Sequence, residues 1–307
     1  MKFASYSQLI IFHIIALILG SCTGRAEKNN RNIELDNESD SIQELPFAEK
    51  RIVFEIPEME NVICFNDIVY HDHNGLSLTA DIYSPPDLEK TDKVPIVLIV
   101  NGYRDSYILK TQERKHMDFG VYVSWAKLIA ASGMIAVTYD TEFSHSEVDS
   151  LLVFLFENVN KYNLDMNRFA LFAASANTLA AQSLMEKEEL DIKCAVLNYG
   201  IFLTPDKKHY DSIDTLSKQM QFYWKGLREI SKIPEIPIFV SKPGRDHPII
   251  TTTTDYFINQ AILVNAPVTY YCYPEGLHNF DFLDNSNVSK GIIKHEILFM
   301  KSHLLVN

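Results

Sequence analysis

From about residue 60 onward, short apolar runs alternate with longer amphipathic stretches. In NDIVYHDHNGLSLTADIYSPP, Ile68 and Tyr70 precede the turn His73-Asn74-Gly75, and Leu76, Leu78, Ala80 and Ile82 follow it. Period-two alternation on both sides of Asn-Gly predicts a β-hairpin. VPIVLIV, residues 94–100, is apolar throughout and too short for a helix, so it predicts a strand covered on both faces. VYVSWAKLIAASG then predicts a helix closed by Gly133, followed by a strand in MIAVTYD. Ser144 and Glu147 make an S-x-x-E capping pattern ahead of Val148, Leu151, Leu152, Leu155, Val159 and Tyr162 at helical spacing. RFALFAA and CAVLNYG predict strands on either side of an Ala- and Leu-rich helix running to about residue 188. Residues 202–234, with Tyr210, Met220, Phe222, Tyr223 and Trp224 among polar neighbours, predict a small helical cap. IPIFVSKPG and PVTYYCYPEG add two strands, and GIIKHEILFMKSHL a last helix. Strand and helix in regular alternation predict an α/β fold: a mostly parallel central sheet flanked by helices and opened by an antiparallel hairpin.

The first residues follow a different pattern. Lys2 precedes an apolar stretch from 9 to 19, which ends in Leu19-Gly20-Ser21-Cys22. This resembles the signal peptide and lipid-attachment sequence of bacterial lipoproteins. The resemblance implies removal of residues 1–21, a lipid on Cys22, and a place in the bacterial cell envelope, periplasmic or surface-exposed, held to the membrane through that lipid. Residues 22–50 include KNNRNIELDNESDS and carry too little apolar surface to offset the entropy of ordering, which predicts a flexible tether. Residues 51–307 are then left for a single catalytic-sized domain.

A formal net charge of −12 argues against nucleic acid as a partner, because phosphate binding needs clustered Lys and Arg. Beyond Cys22, the cysteines are Cys64, Cys194 and Cys272, with no CxxC pair, so neither a disulfide framework nor a zinc site is expected. All three fall in apolar runs and read as buried thiols. His71 and His73 lack a third ligand at useful spacing and read as exposed hairpin residues, so no metal is expected.

The chemistry centres on RFALFAASANTLAAQSLM. Ser175 lies where an apolar strand turns abruptly into a helix, flanked by Ala173, Ala174 and Ala176. A nucleophile held on such a strained turn needs small neighbours, since larger ones would strike the adjacent strand and helix. The familiar pattern is GxSxG, whereas this chain has Ala173 and Asn177 at the glycine positions. Alanine adds only a methyl group, and asparagine is the residue after glycine that best tolerates left-handed backbone angles. The partners of such a serine are expected in the order acid, then histidine, each after a strand. Asp246 follows IPIFVSKPGR and His278 follows PVTYYCYPEGL. Asp281 and Asp284, near His278 in sequence, are alternative acids. The backbone N–H groups of Ala176 and Tyr103 are the expected oxyanion donors, with Asn101 bracing the Tyr103 loop.

LTADIYSPP, VLIVNGY, the Ser175 turn, KPGRDH and EGLHNFDF together resemble the α/β-hydrolase superfamily, nearest to dienelactone-hydrolase-like and prolyl-oligopeptidase-like esterases, over about residues 60–304. The resemblance implies an α/β-hydrolase fold and a serine hydrolase that cleaves a small-molecule carboxylic ester through an acyl-enzyme, with no cofactor. Asn101 stands where relatives often carry His before Gly. Two alternatives stay open: a peptidase or amidase using the same three residues, and a non-catalytic envelope binding protein that keeps the fold. Tyr223 and Trp224 either line a pocket or pack under the cap.

Overall fold

The computed structural model describes residues 45–73, 75–86, 88, 93–142, 145–219 and 230–305. Cys22, the leader, the tether up to residue 44, Asn74, Ser144 and residues 220–229 of the cap, with Tyr223 and Trp224, lie outside the described residues.

The hairpin comprises β1 (Ile63–His73) and β2 (Leu76–Ser84), paired antiparallel from Ile63 opposite Ser84 to His73 opposite Leu76. Gly75 sits in its turn at φ +79°, a backbone angle that favours glycine. There follow β3 (Val94–Ile99), α1 (Asp105–Gln112), α2 (Gly120–Ala131), β4 (Ile135–Tyr139), α3 (His145–Glu157), β5 (Leu164–Ala174), α4 (Asn177–Met185) and β6 (Ile192–Asn198). The chain continues through α5 (Tyr210–Gln219), β7 (Ile238–Pro243), α6 (Pro248–Leu263), β8 (Val268–Tyr273), the short α7 (Phe280–Leu283) and α8 (Asn287–Leu304). Among the described residues eight strands form one sheet, in the order β1-β2-β4-β3-β5-β6-β7-β8. β2 pairs antiparallel with β4, and the pairings from β4 through β8 are parallel.

The uniformly apolar central strands follow from this layering. All six residues of β3 are buried, with Val97 and Ile99 entering one core and Ile96 and Leu98 the other. The first core is closed by α2 and α8, through Trp125, Leu128, Ile292 and Met300, and the second by α3, α4 and α6, through Leu155, Leu184 and Phe257. Each such side chain contributes about 1.5–3 kcal/mol by leaving water. A sheet covered on both faces has no need of polar alternation.

Three local readings change. Of the three cysteines only Cys194 is buried; Cys64, on β1, is half-buried and Cys272, on β8, exposed, because these are the two edge strands of the sheet. His71 is half-buried rather than exposed, its Nδ1 lying 3.1 Å from the Ser150 hydroxyl on α3. The helix after Ser175 stops at Met185, where the chain turns toward β6.

Candidate active site

Ser175, Asp246 and His278 stand after β5, β7 and β8 respectively, at the carboxyl ends of parallel strands. This edge is where loops in open α/β sheets converge. Ser175 adopts φ +57°, a left-handed angle that a non-glycine residue holds only under constraint. The constraint is visible: the Ser175 N–H donates to Asn198 O at 2.9 Å, and the Ser175 carbonyl accepts from the Thr178 hydroxyl at 2.7 Å. Thr178 Oγ1 also accepts the Ile201 N–H at 3.0 Å, tying the start of α4 to the loop after β6. Gly200 is required for that approach, since a Cβ there would lie 2.5 Å from Thr178 Cγ2.

The Ser175 Oγ lies 3.0 Å from His278 Nε2, and His278 Nδ1 lies 2.8 Å from Asp246 Oδ2. The other Asp246 oxygen accepts the His247 N–H at 2.6 Å. The side chains of His278 and Asp246 are 5% and 1% exposed, so their contact is shielded from water. The two loops are laced together: Gly244 N–H donates to Tyr273 O at 2.7 Å, and Arg245 N–H to Gly276 O at 3.0 Å. A Cβ on Gly244 would sit 2.3 Å from Pro274 O, so only glycine permits this approach.

Asp281 and Asp284 are engaged elsewhere. Asp281, fully buried, accepts from Trp125 Nε1 and from the Tyr199 hydroxyl, each at 2.8 Å. Burial raises its carboxyl above the ordinary range, with the two donors opposing. Asp284 accepts from Tyr273, Ser286 and Ser289, and these donors, against the cost of burial, leave it below the ordinary range. Tyr199 packs edge-on against the His278 ring at 4.9 Å between centroids.

The loop after β3 differs from expectation. The Tyr103 N–H donates to Asn101 Oδ1 at 2.9 Å and is therefore engaged rather than presented to an oxyanion. Asn101 braces the loop as anticipated, and its side chain takes up the very donor that had been assigned to the oxyanion. Its Nδ2 donates to Asp105 Oδ2 at 2.8 Å. The neighbouring Gly102 N–H donates to Asn177 Oδ1 at 2.8 Å. The Tyr103 side chain packs against the cluster that includes Ala176, and burial pushes its phenol up to about 12, with Ser175 opposing the rise. The phenol therefore stays protonated at neutral pH and is a hydrogen-bond donor. Ala176, the other expected donor, is the N-cap residue of α4, at the end of a helix where backbone N–H groups lack intrahelical partners.

Asn177 also departs from its expected role. It is the first residue of α4, and the left-handed residue of the turn is Ser175 itself. Asparagine is used here for its carboxamide, which accepts from Gly102 and donates to the Tyr122 hydroxyl at 3.1 Å. The two substituted positions, Asn101 and Asn177, thus hold consecutive amides of one loop. The Asn101–Tyr103 contact is local, an asparagine accepting from the amide two residues on, whereas the Asn177–Gly102 contact spans 75 positions and had no sequence signal beyond the departure from glycine.

Beneath the loop, Asp105 accepts from His116 N–H at 2.6 Å and from Thr141 N–H and Asn101 Nδ2, both at 2.8 Å. Burial nevertheless pushes its carboxyl up to about 7. His116 is buried against Tyr103, Phe119 and Tyr122, and burial lowers its imidazole to about 3, so it is neutral. On the other side of the turn, Ala176, Leu179, Ile201, Leu203, Ile213 and Ile250 form an apolar cluster against which Tyr103 packs.

No protein-family model and no curated protein matches the chain. Solved structures do. The esterase LipW from Mycobacterium marinum superposes with a TM-score of 0.58 at 13% identity, over 79% of this chain and 82% of that one. The thermophilic esterase Est2 of the planctomycete Thermogutta terrifontis gives 0.57 at 15%, over 80% and 94%. A bacterial heroin esterase gives 0.56 at 10%, over 80% and 86%. With the strand order, the mostly parallel sheet and the helices on both faces, these likenesses show that the chain has the α/β-hydrolase fold.

Proposed function

We propose that the protein is a serine hydrolase that cleaves small carboxylic esters, with Ser175 as nucleophile, His278 as general base and acid, and Asp246 holding the imidazole. The observation that carries this reading is the hydrogen-bonded chain from Ser175 Oγ through both ring nitrogens of His278 to Asp246, at 3.0 and 2.8 Å. As Ser175 attacks the ester carbonyl, its proton passes to His278 Nε2, and the imidazolium is stabilised by Asp246 through Nδ1–H. Negative charge gathers on the carbonyl oxygen, where the Tyr103 hydroxyl and the Ala176 N–H are the donors. Each such donor is worth roughly 100- to 1,000-fold in rate. The alcohol leaves with the proton from His278, and a water activated by the same imidazole releases the acid from the acyl-enzyme. The esterase names borne by three structural neighbours add support for an ester rather than another acyl substrate.

Labelling by a fluorophosphonate probe tests this. Wild type is expected to label, with labelling lost in Ser175→Ala and His278→Ala and hydrolysis of p-nitrophenyl acetate or butyrate lost alongside. Folded wild type that neither labels nor hydrolyses would overturn the enzyme and leave a binding protein on the same fold. Turnover of p-nitroanilides in preference to esters would move the reading to an amidase. The lipid anchor on Cys22 belongs to the same proposal. Incorporation of a clickable palmitate analogue that is lost in Cys22→Ala is the expected result.

A further inference from the structure

We infer that Asn177 is a positioning residue for this reaction, holding the Gly102–Tyr103 loop in place beside the turn that carries Ser175. The inference rests on the serine-hydrolase reading and adds to it a residue that never touches substrate.

Two independent paths lead from Asn177 to Tyr103. Along the backbone, Asn177 Oδ1 accepts the Gly102 N–H at 2.8 Å, one residue before Tyr103. Along the side chains, Asn177 Nδ2 donates to the Tyr122 hydroxyl at 3.1 Å, the Tyr122 ring packs on His116 at 4.4 Å, and His116 packs on Tyr103 at 4.8 Å. Asn177 is completely buried, so water does not compete for either hydrogen bond. Asn101 closes the loop from the other side by accepting the Tyr103 N–H. With consecutive amides held by two carboxamides, the loop is fixed at both Gly102 and Tyr103, beside the start of the helix that follows Ser175.

A glycine at 177, the residue of the familiar pattern, would forfeit both contacts and free the Gly102 N–H. The backbone would tolerate it, since residue 177 opens a helix where intrahelical hydrogen bonding has yet to begin. Aspartate would keep an acceptor for Gly102 and accept from Tyr122, but would bring a negative charge beneath the site of the oxyanion.

The test compares kcat and KM for p-nitrophenyl butyrate in wild type, Asn177→Gly, Asn177→Asp and Tyr122→Phe, with thermal midpoints measured in parallel. Misplacing a donor by about 1 Å is enough to cost on the order of 100-fold. Asn177→Gly is expected to lower kcat at least tenfold with KM within about threefold, and Tyr122→Phe to lower it less. Asn177→Asp is expected to lose more of its kcat as pH rises than wild type does. If Asn177→Gly fails to fold, Tyr122→Phe decides on the same split, since it alters neither the turn nor Gly102. Near-wild-type kcat in the folded variants, or a loss expressed only in KM, overturns the inference while leaving the hydrolase standing. Absence of turnover and labelling in wild type overturns both.

Discussion

Asn101 Oδ1 accepts the N–H of Tyr103, two residues on, at 2.9 Å, and in doing so converts an expected backbone donor into part of the scaffold. In the proposed mechanism the phenol of the same residue takes its place as a donor to the oxyanion. Tyr103→Phe is therefore expected to lower kcat by roughly 100- to 1,000-fold with little change in KM for a p-nitrophenyl ester. Phenylalanine preserves the packing on His116, so unfolding in urea should scarcely move. Undiminished kcat would return the oxyanion to backbone donors.

Asp246 rather than Asp281 meets the imidazole, and the two variants should separate cleanly. Asp246→Asn is expected to reduce kcat by about 10³-fold or more at neutral pH, because the amide no longer holds Nε2 of His278 unprotonated. Asp281→Asn replaces one of two acceptor oxygens facing Trp125 and Tyr199 by an amide donor, which costs about 1–3 kcal/mol of stability. Measured on folded protein, its kcat should stay within about tenfold of wild type. Reversed magnitudes would reassign the acid.

Gly244→Ala places a methyl against the Pro274 carbonyl, which leaves no room for it. The expected loss is about 1–3 kcal/mol, seen as a lower urea midpoint, with kcat falling as well because the Asp246 and His278 loops are pried apart. A neutral effect on both would show that the two loops adjust independently.

Asp105 links stability to pH. Its carboxyl has an ordinary value near 3.8 and is pushed up to about 7 in the fold, so the native state holds a proton that the unfolded chain releases. This contribution is complete below about 3.8 and is lost as pH rises through about 7, at no more than about 1.4 kcal/mol per pH unit. The stability difference between wild type and Asp105→Ala, followed by urea unfolding between about pH 4 and 8, should shrink as pH rises. A flat or growing difference would mean that the three hydrogen bonds to Asp105 outweigh its burial.

What the sequence determined by itself was the order of elements and the place of the reactive residues along them. Apolar runs such as VPIVLIV follow from strands covered on both faces, Asn-Gly marks the hairpin, and a serine among alanines at a strand end marks a strained turn. These are local matters of period, volume and backbone angle. Contacts across the fold were decided only in three dimensions. Asn177 reads locally as a residue tolerant of left-handed angles, yet the fold places a buried amide 75 positions away within reach of its side chain. Asp281, three residues from His278, is nearer in sequence than Asp246 and is drawn instead to Trp125, 156 positions away. The physical reason is the same in each case. A buried donor must find an acceptor, and which one lies within about 3 Å is set by how strands and loops are brought together, a relation that the spacing of residues along the chain does not contain.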